Sequence, residues 1–459
     1  PYLLDAIAVL ESLRPAELSD ENKISLFDTQ VKTYRGLQQV LIAQNKVETA
    51  LEISERGRAR AFVERMARRN HSDSSEAFVP PPPPTLAEIQ QVAREQNATL
   101  VEYSIMSDEL LYIWVIRPTG EIDFRQVNPK TIDLNFAIDD WVDETFFALG
   151  VDRSSDATEA EILQARALTN SGLPELHKIL IEPIADLLPK TSEQRVIFVP
   201  HGELFLVPFP ALKDANGTHL IDKHTILTAP AIQVLQLTRQ AKRAEGKGGE
   251  VLVVGNPMMP RQSAWGEPLY LRSLPGSEQE AQDIAQILGT QPLIGSAATE
   301  TAVVERMKTS RIIHLATHGI LDDERGIGSS IALTPGNTGD TGIPPNPNDG
   351  FLMAEEILSL NLNADLVVLS ACDTGRGKIT GDGVVGLSRS LLTAGVSSLV
   401  VSLWQVPDSS TAELMVLFYH NLQQGQDKAT ALRNAMLEMK KTHPDPVHWA
   451  AFALMGEIE

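Results

Sequence analysis

Cysteine is almost absent from this chain. Its 459 residues hold one, Cys372. A single thiol excludes an internal disulfide and a zinc site built on cysteines; no cofactor and no metal are expected. Basic residues are scarce too: Lys and Arg number 39 against 60 Asp and Glu, for a formal charge of −21. That balance argues against direct nucleic-acid binding, which needs a basic face, and it favours basic partners or substrates. No run of about 18 apolar residues occurs, so no membrane span is expected. Pro1 does not open a charged start followed by an apolar stretch, so no signal peptide is expected either. The phosphate-binding pattern G-x-x-x-x-G-K-[ST] is missing, and "GKGG" at 246–249 precedes a strand instead of following one. The expectation is a soluble, cytoplasmic chain in a reducing compartment. With 43% hydrophobic residues it can build cores for two or three domains.

Residues 1–70 read as helical. No proline falls between Tyr34 and Arg69; Leu37, Val40 and Leu41 share one face, Val47, Ala50, Leu51 and Ser54 another, and "AQNK" breaks the pair. Such a pair reads as a tetratricopeptide-like repeat or as an ordinary helical hairpin. The repeat reading expects more repeats upstream in a longer chain, because one pair cannot bury its own face. In "HSDSSEAFVPPPPPT", five prolines hold an extended segment, read as a semi-rigid linker over 71–85. A docking motif for proline-recognising modules is the alternative.

Residues 86–245 begin with an antiparallel meander, "TLVEYSIMSDELLYIWVIRPTGEIDFRQV", turn mostly helical over 131–189, and add strands at "RVIFVP" and "HTILTAP". Over 246–459 the runs "EVLVVGNP", "RIIHLATHG", "DLVVLSACDTG" and "SSLVVSLWQVPD" alternate with helices at Ser277–Leu288, Glu300–Met307, Gly383–Thr393, Ser409–Asn421 and Lys428–Lys441. That alternation predicts an α/β fold with a mostly parallel sheet and helices on both faces. Reacting groups then collect beyond the C-terminal strand ends. Residues 320–350 interrupt the pattern with a long loop and one short strand at "SSIAL".

Two chemistry-bearing residues fall at such strand ends: His318 in "HLATHG" and Cys372 in "LSACDTG". On neighbouring strands they meet, and an imidazole in hydrogen-bond reach turns a thiol into a thiolate near neutral pH. Gly319 lets the chain turn and offers an unhindered N–H; with the N–H of Cys372 it forms an oxyanion hole for acyl transfer. The competing reading is that a lone cysteine after an apolar run is inert core.

The motifs carry a resemblance. "HLATHG", "LSACDTG", "GDGVVGLSRSLLTAGVSSLVVSLWQVPD" and "ATALRNAM", with "VPHGELFLVPFPAL", "LPGSEQEAQDIAQILG" and "DGFLMAEEI", are similar to the CHAT domain, a caspase-like domain associated with tetratricopeptide repeats. The match runs from about residue 100 to 456. His318 lies 54 residues before Cys372 (372 − 318), and caspases place their histidine about 50 residues before a Gln-Ala-Cys-x-Gly signature. Here Ser370 stands for the glutamine, and glycine comes at 375. The resemblance implies His318 as general base, Cys372 as nucleophile, a backbone carbonyl orienting the ring, and a clan shared with separase and gingipain-type peptidases. It also implies that an inactive caspase-like half, within 86–245, precedes the catalytic half at 246–459. His201 in "VPHGELF" then reads as structural, and bacterial origin fits the family.

Further residues have two readings each. Trp404, after the strand "SSLVVS", walls a substrate pocket by the same resemblance. Asp408 or Asp382 selects Arg or Lys before the scissile bond, or Asp408 caps the helix that "PDSSTAELM" begins. Arg376 and Lys378, in the Gly-rich "DTGRGKITGDG", mark an activation-loop cleavage segment or a flexible loop. His314, four residues before His318 on a strand, reads as a packed histidine before it reads as a metal ligand. The function expected is a cysteine endopeptidase whose repeats recruit a protein substrate or regulator; the alternative is a catalytically silent CHAT and repeat scaffold.

Overall fold

The computed structural model describes residues 2–12, 20–70, 80–107, 110–129, 138–149, 151, 172–244, 249–261, 270–336, 348–372, 374–380 and 383–458. Asp373, Asp382 and all the residues between Gly336 and Asn348 lie outside them. The chain forms two compact units. One takes Pro1–Ala148, Ser154–Leu237 and Ile379–Val384; the other takes Leu149–Arg153, Thr238–Lys378 and Val385–Glu459.

The first unit begins with helices α1 (Tyr2–Ser12), α2 (Asp20–Ala43), α3 (Val47–Arg56), α4 (Arg60–Asn70) and α5 (Leu86–Gln96). The break at "AQNK" falls between α2 and α3, with Asn45 in the left-handed region. A second break separates α3 from α4. It lies at Gly57, where a Cβ would press on the buried Tyr34 ring at 2.8 Å. The prolines are not a free spacer at their C-terminal end: Arg60 donates to the carbonyl of Pro81 at 2.8 Å and Gln233 to that of Pro82 at 2.8 Å. A run without proline N–H groups still offers every carbonyl, and these two are used. Thr85 closes the run by capping α5 in a box with Glu88.

Five strands follow: β1 (Ala98–Ser107), β2 (Leu110–Ile116), β3 (Ile122–Val127), then β4 (Arg195–Val199) and β5 (Thr225–Thr228). They order as β3-β2-β1-β4-β5. The expected meander is the antiparallel β1–β3 part; β1, β4 and β5 run parallel. Among the described residues the further helices are α6 (Ile138–Ala148), α7 (Gly172–Leu180), α8 (Leu220–Lys223) and α9 (Ile232–Ala244), the last divided between the units after Leu237. Two arginines, Arg58 and Arg60, are buried in this unit. Arg58, 5% exposed, donates to the carbonyls of Pro200 and Tyr103 at 2.6 Å each and pairs with the buried Glu102 at 3.3 Å and Glu55 at 3.6 Å. Burial, then the Glu55 charge, pushes the Glu102 carboxyl up to about 8. His201, just past β4, accepts the Ile105 N–H on Nδ1 at 3.1 Å. Burial, then the charges of Arg58 and Arg35, holds its ring well below the ordinary histidine range, so it stays neutral.

The second unit contains β6 (Glu250–Pro257), α10 (Pro275–Leu288), β7 (Leu293–Gly295), α11 (Glu300–Met307), β8 (Ser310–Ala316), β9 (Gly319–Ile320), β10 (Ser330–Ala332), β11 (Phe351–Met353), α12 (Ala354–Leu358) and β12 (Leu366–Ser370). Two short strands, β13 (Lys378–Thr380) and β14 (Gly383–Val385), fall mostly in the stretch Ile379–Val384 that belongs to the first unit; the second unit resumes with α13 (Leu387–Ala394), β15 (Ser398–Ser402), α14 (Asp408–Gln423), α15 (Lys428–Thr442) and β16 (Phe452–Gly456). Its strands order as β16-β15-β12-β8-β6-β7, parallel except for β16. Thus the mostly parallel α/β sheet expected from the alternation is present. Every residue of β12 and β15 is buried, as strands covered on both sides require.

Two expectations change. The helix predicted from Gly383 starts at Leu387 instead, because Gly383 takes φ 105° and residues 383–385 pair as a strand. The strand at "SSIAL" is β10, but it has partners on both sides, β9 and β11, too short to show a period in the sequence.

Candidate active site

The site begins with a register. In the β8/β12 ladder Ala316 pairs with Ser370, and each chain runs two residues further to His318 and Cys372. Parallel neighbours lie about 4.8 Å apart, so one ladder brings the two chain ends that carry His318 and Cys372 out side by side. Both residues are half-buried. The closeness of the two chain ends is visible at Gly319: a Cβ there would collide with the carbonyl oxygen of Cys372, and Thr374 Cγ2 stands 3.1 Å away. Only glycine fits.

The ring of His318 is oriented by a backbone carbonyl. Nε2 lies 2.7 Å from the oxygen of Arg272. A carbonyl only accepts, so Nε2 carries the proton and Nδ1 is the basic nitrogen of the neutral ring. The main chain of His318 is hooked in turn: Ala332 N–H donates to its carbonyl at 2.9 Å, and Thr317 Oγ1 donates to Ala332 O at 2.7 Å. Gly319 faces Ile331 in the β9/β10 pair. The bond from Ala332 N–H to His318 O makes this a non-hydrogen-bonded pair, so the Gly319 N–H points away from β10.

The turn that carries Cys372 rests on two hydroxyls the sequence reading missed. Ser402, at the end of β15 and fully buried, donates through Oγ to the Ala371 carbonyl and accepts the Thr374 N–H at 3.4 Å. Thr374 Oγ1 accepts the Ser402 N–H at 3.0 Å, and Gly375 N–H donates to Ser402 O at 2.7 Å. Buried Ser and Thr in apolar strands were the available signal, since a hydroxyl there must find a partner.

The other candidates lie as follows. Trp404 is fully buried and donates Nε1 to Val447 O at 3.3 Å, so no face of it is open to a substrate in this structure. Asp408 is the first residue of α14, whose N-cap is Pro407, so the expected cap of its own helix is not formed. Its carboxylate caps α10 instead, accepting Gly276 N–H at 2.8 Å and Ser277 Oγ–H at 3.0 Å. Arg376 is buried at 6% exposure, whereas Lys378 is exposed at the start of β13; residues 374–376 are buried, with Gly375 N–H bonded to Ser402 O. Asp382 falls outside the described residues. His314 is fully buried: its Nε2 lies 2.9 Å from Glu280 Oε1 and its Nδ1 3.3 Å from the Tyr419 hydroxyl. With both ring nitrogens engaged it is a packed, hydrogen-bonded histidine.

A family model described as the CHAT domain matches residues 172–457, more than half of the chain. Among curated proteins the chain is similar to tetratricopeptide repeat protein 28 of Mus musculus, 26% identical over 99% of this chain, and to that of Homo sapiens, 27% identical over 99%. It spans 23% of the length of these relatives. Among solved structures it is similar to a chain of the Saccharomyces cerevisiae separase–securin complex, with TM-score 0.58 and 11% identity over 99% of this chain and 37% of that one. That likeness is one of fold. Among the described residues no helix is long and apolar enough to cross a membrane.

Proposed function

Since the chain belongs to the CHAT-domain family, whose fold here is caspase-like, we propose that it is a cysteine endopeptidase acting through Cys372 and His318. The observation that carries the proposal is the tautomer. Nε2 of His318 is engaged by the Arg272 carbonyl, which would leave Nδ1 to take the proton of the Cys372 thiol, two residues beyond the same ladder. In this mechanism Cys372 Sγ bonds to the peptide carbonyl carbon as its proton passes to Nδ1. The N–H groups of Gly319 and Cys372 hold the oxyanion. The C–N bond breaks, and the amine leaves with the proton from His318. Water, deprotonated by the same nitrogen, then attacks the thioester, and the S–C bond breaks to return the thiolate.

Substrate recruitment falls to the N-terminal helices, in keeping with relatives named for tetratricopeptide repeats. A preference for Arg or Lys before the cut would fall to Asp408 or Asp382; Asp408 already accepts from Gly276 and Ser277. A peptide panel varying that one residue tests this, and a preference for Asp or Leu would refute it.

The second reading, a silent interaction scaffold, is favoured by those same relatives, whose name is that of a repeat protein. Wild type and Cys372→Ala, incubated with a diverse protein mixture, separate the two. New termini that depend on Cys372 support the peptidase; none under any activating condition supports the scaffold.

A further inference from the structure

The strand beside β8 ends in an irregularity. In the β6/β7 ladder Gly255 pairs with Ile294 and Pro257 with Gly295, so the register slips at Asn256. Asn256 also takes φ 42°, one of few non-glycine residues with positive φ. A bulge of this kind re-aims a side chain, and left-handed backbone held by a non-glycine residue is strain that surrounding contacts must sustain.

The contacts show where the side chain is aimed. Asn256 Oδ1 accepts the Leu274 N–H at 2.8 Å and the Ser273 hydroxyl at 3.1 Å, and Nδ2 donates to Glu278 Oε2 at 3.1 Å. Leu274 is the N-cap of α10. One amide thus holds residues 273, 274 and 278, and the next residue upstream is Arg272, whose carbonyl fixes the His318 ring. Asp408 grips the following turn at Gly276 and Ser277.

We infer that Asn256 is a positioning residue for His318: it fixes the Ser273–Leu274 backbone so that the Arg272 carbonyl meets Nε2 and sets the tautomer. The inference rests on the Cys372/His318 reading. Asn256 touches neither reacting group and acts through the intervening backbone. It suits the task because asparagine tolerates the left-handed region and carries an acceptor and a donor on one planar group.

The test uses the sole cysteine, so that alkylation by iodoacetamide reports one site. The rate is followed from pH 5.5 to 9 in wild type, His318→Ala, Asn256→Gly and Asn256→Asp, with a melting curve for each. Glycine keeps the backbone free and removes the contacts; aspartate keeps the acceptor. Asn256→Asp is made together with Glu278→Gln, so that the position facing Glu278 Oε2 holds an amide against the new carboxylate rather than two carboxylates in contact. In wild type the reactive limb is expected to extend below pH 7. Asn256→Gly is expected to lose about tenfold in rate near pH 6.5 and move toward His318→Ala, while Asn256→Asp stays within about twofold of wild type. If Asn256→Gly does not fold, Asn256→Ser, too short to reach Leu274, takes its place with the same expectation. A wild-type profile in Asn256→Gly, or an equal loss in Asn256→Asp, overturns the inference and leaves the His318/Cys372 pair standing. A wild-type profile in His318→Ala overturns the pair itself.

Discussion

The carbonyl oxygen of Cys372 occupies the space that a side chain on Gly319 would need. The residue after the imidazole and the residue bearing the thiol are in backbone contact, so neither chain end can shift alone. Gly319→Ala should cost about 1–3 kcal/mol of stability through forced displacement, and it should sharply slow alkylation of Cys372. Thermal melting and the alkylation rate check both effects; wild-type values in each would show that the two ends are not locked together.

Ser402 supports the thiol from the next strand. Ser402→Ala removes the donor to the Ala371 carbonyl and the acceptor of the Thr374 N–H in a buried setting. A loss of about 1–3 kcal/mol follows from the unsatisfied groups, with slower Cys372 alkylation in the protein that remains folded. Thr374→Val should behave alike because it breaks the same exchange of bonds.

His314, inside β8, and His318, two residues beyond its end, stand in contrast. His314→Leu leaves the buried Glu280 carboxylate without its ring partner and should destabilise by about 3 kcal/mol or more. At temperatures where it is folded, its alkylation profile should match wild type. A profile like that of His318→Ala would mean that His314 shares in the chemistry.

Glu300 links stability to pH. It is buried at the start of α11, accepts the Gly350 N–H at 2.9 Å, and is pushed up to about 8, first by burial and then by the charges of Glu356 and Asp349. In the folded state it holds its proton where the unfolded chain, with an ordinary value of 4.5, has released it. Its contribution to stability is therefore complete below pH 4.5 and is lost as pH rises toward 8. Glu300→Gln keeps an acceptor for Gly350, so it should flatten that decline and raise the melting temperature at pH 8, by about 2–4 °C per kcal/mol recovered. No gain at pH 8 would count against a neutral Glu300.

The sequence made some of this legible and hid the rest for physical reasons. The strands of the second unit announce themselves as short apolar runs, and His318 and Cys372 stand out because reactive side chains seldom follow such runs. Arg272 contributes only a carbonyl, which every residue has, so nothing in its identity marks it. Asn256, Ser402 and Thr374 act on backbone groups brought near by strand order, and strand order is not written in any local pattern. Asp408 was legible as a helix cap but not for which helix, since its partner lies 132 residues away. Arg58 was lost in a helical run because arginine on a helix usually faces water.

The β8/β12 ladder has a consequence for timing. These strands lie in the middle of the β16-to-β7 order, hydrogen-bonded on both edges, and such strands exchange their amide protons only when the whole unit opens. The thiol and the ring hang two residues beyond that ladder, so parting them by sliding strands would be as rare as unfolding. Control on the scale of milliseconds must therefore act at the segments around them, residues 270–274 under the imidazole and the turn after Cys372, where amide exchange should respond first to any activating partner.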